Sequence, residues 1–206
     1  MDKKIRLLQV IPRLDVGGAE TGCKDIAQFI ANQNYFSAIL CSGGEQIKNI
    51  DQTKIKIFKF SVHSKNPFMI FFNIFVILFI VLFYKINIIH VRSRAPAWSC
   101  YFVSKLLGVS LISTFHGTYN FNNSLKKFYN SVMLRGNSVI VGSRFIFDHI
   151  RNNYNYSKEI FLIPRGINID YFNSKNSNIE VLNSVRARWG ISSDNFLILL
   201  PGRLTF

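Results

Sequence analysis

The sequence predicts an α/β protein built on a Rossmann-like parallel sheet with helices on both faces. Apolar runs of strand length alternate with segments of helix length along the chain. The strand runs are almost continuously apolar, as expected for strands that are covered on both faces of a sheet. Hydrophobic residues make up 49% of the sequence and charged residues only 17%, a composition that indicates a folded chain.

Strands and helices are predicted in alternation over most of the sequence. Runs rich in β-branched residues predict strands at 5–11, 36–41, 55–60, 86–91, 110–115, 138–141, 160–163 and 196–200. Helices are predicted at 20–33, 67–84, 96–107, 122–135, 144–154 and 179–189. Because helices join successive strands, the connections are expected to be crossovers between parallel strands.

The chain is long enough for one full α/β domain but short for two. Residues 1–170 are predicted to form the Rossmann-like domain. The polar segment 171–194 is predicted to be a connection between domains. The apolar run at 196–200, followed by Pro201 and Gly202, is typical of a first strand and its turn, so we expect 195–206 to begin a second, truncated domain.

The net charge of +14 predicts an anionic partner such as phospholipid or a phosphorylated sugar. Nucleic acid is disfavoured, because the basic residues are scattered and no zinc spacing or RNA-binding aromatic motif is present. Cys23, Cys41 and Cys100 are odd in number and widely spaced, which indicates neither a disulfide framework nor a metal site and fits a reducing cytoplasm. The charged start of the chain does not resemble a secretory signal peptide.

The segment 68–84 is almost uninterrupted in its apolar character and is bounded by Lys65 and Lys85. Three interpretations are open. A transmembrane helix would place the strands before and after it on opposite sides of a membrane and so divide the sheet. A helix fully buried in the core is the second possibility. The third is a helix that covers the sheet with one face and enters the membrane interface with the other.

Residues that can bind anions follow two of the predicted strands. Gly17 and Gly18, with Glu20 close behind, form a strand-to-helix turn at which a ligand can approach backbone N–H groups. The spacing is not that of a dinucleotide-binding loop, and an ordinary glycine turn is the alternative. Arg92 and Arg94 end another strand and are able to clamp a phosphate or carboxylate, unless they are simply solvated.

An ordered set of motifs extends over essentially the whole chain. It consists of Gly-Gly-Ala-Glu at 17–20, Arg-Ser-Arg-Ala-Pro at 92–96, Thr-Phe-His-Gly at 114–117, Ile-Pro-Arg-Gly-Ile-Asn at 163–168 and Pro-Gly-Arg-Leu at 201–204. In this order and spacing the motifs resemble the N-terminal domain of family 4 glycosyltransferases. The resemblance implies the first half of a GT-B fold, in which two Rossmann-like domains face each other across a cleft.

The resemblance also implies roles for individual residues. Gly17 and Gly18 would lie near the donor phosphates and the acceptor, and Arg203 near the donor diphosphate. His116 would be the catalytic residue at the sugar-transfer site. Arg165 stands where relatives often have asparagine, which leaves its role open.

The chemistry of His116 suits the place that the resemblance gives it. A histidine before Gly117 at the end of a strand is expected to face the cleft, with a near-neutral pKa suited to hydrogen bonding or proton transfer. The alternative is a histidine that merely packs in a loop. With Glu20, Arg92, Arg94 and Gly117 it completes the predicted donor and acceptor site.

The activity implied is retaining, metal-independent transfer of a sugar from a nucleotide-sugar donor. No cofactor is expected beyond that co-substrate. The acceptor is expected to be a glycan or a lipid-linked, lipopolysaccharide-type molecule, and the protein to lie in the cytoplasm at the inner face of the membrane. The acidic motif that contacts the donor in relatives is missing from these 206 residues, which are therefore expected to be inactive alone. The alternatives are a non-catalytic basic module that binds membrane surfaces and, disfavoured by the glycine spacing, a nucleotide-sugar epimerase or dehydrogenase.

Overall fold

The computed structural model describes residues 4–119, 121–173, 175, 178–192 and 194–200. The chain divides into two units, residues 1–165 and residues 166–206. Among the described residues, the first unit contains the whole sheet and most of the helices, and the second contains one further helix. The prediction that 195–206 begins a second domain stays a prediction.

The first unit is built on a seven-stranded parallel sheet whose order is β3-β2-β1-β4-β5-β6-β7. The strands are β1 (Arg6–Val10), β2 (Phe36–Cys41), β3 (Ile55–Lys59), β4 (Ile88–Val91), β5 (Ser110–Phe115), β6 (Ser138–Val141) and β7 (Ile160–Leu162). From β1 the chain builds the sheet outward to β3, and then returns to build β4 to β7 on the other side. The order therefore reverses between β1 and β4, and the loops after these two strands part to leave a crevice.

Helices connect the strands of the first unit. They are α1 (Gly18–Asn32), α2 (Pro67–Phe83), α3 (Arg94–Leu107), α4 (Ser124–Ser131) and α5 (Arg144–Tyr154), and α6 (Ile179–Arg188) lies in the second unit. Short 3-10 helices occupy Glu45–Asn49 and Val132–Leu134. The Ser143 hydroxyl accepts a hydrogen bond from the Ile146 N–H and so caps α5.

Both faces of the sheet are covered, because alternate residues of the strands enter different core clusters. In β2, Ala38 and Leu40 belong to a large cluster with α2, α3 and α5, whereas Ile39 belongs to a smaller cluster with α1. The predicted α/β class with helices on both faces is confirmed. Cys23, Cys41 and Cys100 are all buried and free of disulfides.

Helix α2 is apolar on every side, yet only one side of it is buried. Ile77, Ile80 and Val81 enter the core, and the buried Asn73 donates to the Ser61 carbonyl. Large apolar residues are exposed on the opposite side, which we call the aromatic face: Phe68, Phe71, Phe72, Phe75, Phe79, Leu82 and Phe83. The interpretation of this segment as a fully buried core helix is therefore wrong. No helix among the described residues is long and apolar enough to cross a membrane.

Some of the predicted elements differ from the structure. The helix predicted at 122–135 is α4 followed by a 3-10 turn, and α3 begins at Arg94 instead of residue 96. Residues 196–200, predicted as a strand, form no regular element in the structure and their side chains are exposed, so a strand of a second domain there stays a prediction. A strand needs a neighbour for its backbone hydrogen bonds, and among the described residues none pairs with this segment.

Candidate donor and acceptor site at the carboxyl edge of the sheet

The candidate site begins at the turn from β1 into α1, beside the point where the strand order reverses. Gly17 precedes α1 and Gly18 is its first residue, so the free N–H groups of the helix start at this edge of the sheet. A Cβ on Gly18 would overlap the Nη1 atom of Arg165, and a Cβ on Gly17 would overlap the Glu20 carboxylate. Glycine at both positions leaves the space that these two side chains use.

Arg165 reaches from the segment after β7 to the end of β5. Its Nη2 atom lies 2.9 Å from Nδ1 of His116. A guanidinium has donors only, so Nδ1 accepts this hydrogen bond and carries no hydrogen. Nε2 of His116 is buried and has no hydrogen-bond partner among the residues that the structure describes. Arg165 thus joins Gly18 of α1 to His116.

Arg92 lies beneath this edge and is only 5% exposed. Its Nε donates to Oε1 of Gln9 at 2.9 Å, and its Nη2 donates to the Gly22 carbonyl at 3.3 Å. Gln9 in turn donates from Nε2 to the Cys23 carbonyl at 2.8 Å. Arg92 therefore fastens α1 to the centre of the sheet and supplies a buried positive charge; in the described part of the chain it forms no ion pair with a carboxylate.

The electrostatic surroundings keep two histidines uncharged. Burial, with contributions from Arg92 and Arg165, lowers the pKa of His116 to about 3. Burial also lowers the pKa of His90, again with Arg92 contributing, and His90 Nε2 lies 2.7 Å from Oγ1 of Thr114. The expectation of a near-neutral pKa for His116 is therefore wrong, because the sequence did not show that this ring is buried and lies close to two cations.

The remaining predicted site residues are distributed as follows. Arg94 donates from Nη1 to Oδ1 of Asn130 at 2.8 Å, and its guanidinium lies 4.2 Å from the centre of the Tyr119 ring. It therefore braces the segment after β5 against α4. Gly117 adjoins open space, since a Cβ there would contact nothing within 4 Å. Arg203 lies outside the described residues.

The structure assembles Gly17, Gly18, Glu20 and His116 with Arg165, which the sequence alone did not assign to the site. The link from Arg92 through Gln9 to α1 was also missed. A glutamine inside the apolar run of β1 was the available signal, because a buried amide needs polar partners. In the described ranges no three histidine, cysteine or acidic side chains lie together as metal ligands.

We expect the protein to lose stability as the pH falls from 7.5 to 5. In the folded state the pKa values of His90 and His116 lie well below 6.5, the ordinary value for a histidine in the unfolded chain. As the pH falls through 6.5 the unfolded chain therefore binds more protons than the folded one, and unfolding is favoured. Each histidine contributes a slope of at most about 1.4 kcal/mol per pH unit. Urea unfolding at several pH values measures the effect. His116→Asn should flatten the slope, and a free energy of unfolding that is constant over this range would contradict the prediction.

The parallel sheet, the reversal of strand order and the glycine turn at the crevice define a Rossmann-like domain with a ligand site at the carboxyl edge of its sheet. Residues 16–171 match the family described as Glycosyltransferase Family 4. The chain belongs to this family, as its ordered motifs predict. None of the curated proteins matches the sequence.

Solved structures share this fold. A glycosyltransferase from Rickettsia africae ESF-5 is 36% identical, with a TM-score of 0.82 over 98% of this chain and 54% of that one. Anabaena Alr3699/HepE in complex with UDP and glucose is 13% identical, with a TM-score of 0.67 over 90% of this chain and 50% of that one. The lipopolysaccharide outer core galactosyltransferase WaaB is 12% identical, with a TM-score of 0.57 over 80% of this chain and 47% of that one. The chain thus spans about half the length of these structures.

Proposed function

We propose that the chain is the acceptor-side domain of a glycosyltransferase that moves a sugar from a nucleotide-sugar donor to a cell-envelope glycan or lipid-linked acceptor. The observation that carries this proposal is the cluster of Gly18, Arg165 and His116 at the crevice of a family 4 domain. HepE, which has the same fold, is described in complex with UDP and glucose. A donor of this class suits a site whose cations have no carboxylate partner in the described part of the chain.

The proposed chemistry needs stabilisation of the negative charge that gathers on the leaving diphosphate. The first turn of α1 offers free N–H groups at the positive end of the helix, and Arg165 adds a cation beside it. Arg203 is proposed to join them at the diphosphate. These groups stabilise an anion without a metal ion, which supports metal-independent transfer. Retention of the anomeric configuration is proposed from membership of the family.

The proposed acceptor is lipid-linked or of lipopolysaccharide type, and the protein is proposed to work at the cytoplasmic face of the membrane. The support is the aromatic face of α2 combined with the positive charge of the chain. WaaB, named as a lipopolysaccharide galactosyltransferase, shares the fold. The 206 residues by themselves are proposed to be inactive, because donor contacts in a GT-B fold lie mainly on the second domain. The aromatic face also supports the alternative, a non-catalytic module that binds membrane surfaces.

Nucleotide release by the complete gene product tests the proposal. With a panel of UDP, GDP and ADP sugars we expect release from one donor that persists in EDTA. His116→Ala should reduce it by about 100-fold or more, the usual cost of removing a hydrogen-bond donor at a transfer site. His63→Ala, which changes a histidine on a different loop bonded to Ser42, is the matched control and should keep full activity. No release from any donor, with membrane binding intact, would favour the non-catalytic module.

A further inference from the structure

The contact between Arg165 and His116 restricts which chemistry the histidine can perform. The guanidinium can only donate, so a neutral His116 that accepts at Nδ1 must carry its hydrogen on Nε2. We propose that Arg165 is a positioning residue that holds His116 in this tautomer, so that Nε2–H donates a hydrogen bond to an oxygen of the bound sugar and His116 does not act as a base. The identity of the ligand oxygen rests on the proposed function, whereas the tautomer does not.

The surroundings of Nε2 support this role. The atom is buried and has no partner among the described residues, and a buried donor without an acceptor is costly to maintain. A ligand oxygen would supply the missing acceptor. The charged groups that act on the ring are Arg92, from the end of β4, and Arg165, from beyond β7, and both are cations. His90, on the neighbouring strand, is itself kept neutral by burial. The surroundings therefore oppose a positive charge on His116.

The glycine turn contributes to the same arrangement. Nη1 of Arg165 occupies the space that a Cβ on Gly18 would fill, while Nη2 of the same guanidinium reaches His116. The absence of a side chain at Gly18 is thus what lets Arg165 approach the ring. Gly22, one turn further along α1, has no such neighbour, since a Cβ there would lie 3.7 Å from Arg92 in ordinary contact.

Nitrogen-15 NMR of the histidine rings tests the inference directly in the unliganded protein. In the wild type we expect Nε2 to be protonated and Nδ1 unprotonated at pH 7, with no titration of His116 above pH 5. In Arg165→Ala, the Nδ1–H tautomer should become populated and the titration midpoint should rise by about one pH unit, because a neighbouring cation is removed. Arg165→Lys keeps the charge and should hold the midpoint low.

Gly18→Ala distinguishes the effect of the Arg165 hydrogen bond on His116 from the effect of the Arg165 charge. The added methyl group displaces the guanidinium while Arg165 remains, so the Nδ1–H tautomer should appear as in Arg165→Ala. Gly22→Ala is the matched control in the same helix and should leave the His116 signals unchanged. The inference is overturned if Nδ1 is protonated in the wild type, or if Arg165→Ala changes neither tautomer nor midpoint. A protein without transferase activity would refute the proposed function but leave these NMR results unaffected.

Discussion

Replacement of Phe71, Phe75 and Phe79 by serine is expected to abolish binding to vesicles of three parts phosphatidylcholine and one part phosphatidylglycerol. These side chains are 61%, 51% and 64% exposed, so the substitutions leave the core intact. Each ring that enters the bilayer interface contributes on the order of 1.5 kcal/mol, by the usual free energy of burying a large apolar side chain. Loss of three rings should therefore weaken binding by at least about 100-fold.

The geometry of α2 explains why the effect should be concentrated there. At about 100° per residue, the seven side chains of the aromatic face lie within an arc of about 120°, opposite the residues that enter the core. Such a patch is large for the free surface of a monomeric protein. Lys65 and Lys85 flank the helix, and each cation near an anionic surface adds about 1 kcal/mol. The helix is thus suited to lie in the interface instead of crossing it.

Sedimentation with vesicles measures this binding, and vesicles of phosphatidylcholine alone test the contribution of charge. Phe29→Ser is the matched control, because Phe29 is 62% exposed but lies on α1, on the other face of the sheet. It should bind like the wild type. If the wild type does not sediment with anionic vesicles, or if the triple variant binds as well as the control, the aromatic face does not contact the membrane.

The sheet could be predicted from the sequence because its strands are covered on both faces and therefore read as continuous apolar runs. β2 and β5 begin and end at the predicted residues. At 196–200 the same signal is not accompanied by a strand, because no described strand pairs with this apolar run. An apolar run reports the tendency of a segment to be buried, but a strand exists only where a neighbour accepts its backbone hydrogen bonds.

The burial of only one side of α2 could not be predicted from the sequence either. An amphipathic helix shows which side faces the core, but α2 is apolar all round and its sequence offers no such contrast. The membrane-interface interpretation was one of three that the sequence left open. The packing of Ile77 and Ile80 against the sheet, with the phenylalanines outside, was needed to exclude complete burial.

The loops of the candidate site could be predicted because parallel strands bring their carboxyl ends to one edge. The burial, hydrogen-bond partners and charge of each side chain could not be predicted. Arg92 and Arg94 look equivalent in the sequence, yet one is buried against Gln9 and the other contacts Asn130. Arg165 is 49 residues from His116, and only the fold shows that they meet. Motif spacing predicts where a loop lies, whereas contacts between distant loops set charge and tautomer.

The loop after β2 approaches the site loop after β1 so closely that a glycine is required. Gly44 has a φ of 139°, and a Cβ there would lie 2.6 Å from the Leu14 backbone nitrogen and nearer still to its carbonyl group. Leu14 is fully buried, and its N–H and carbonyl are bonded to Gly43 and Gln46. The backbone of Leu14 therefore has little freedom to move away.

Gly44→Ala is accordingly expected to destabilise the protein by about 3 kcal/mol, from backbone strain at positive φ together with the steric overlap. For a unit of this size the melting temperature should fall by roughly 10 °C. Gly43→Ala is the matched control: its φ of 119° is also unfavourable, but a Cβ there would meet nothing within 4 Å. It should cost only about 1 kcal/mol, from strain alone. Thermal unfolding of both variants separates the two causes, and equal losses of stability would show that the contact with Leu14 does not constrain the loop.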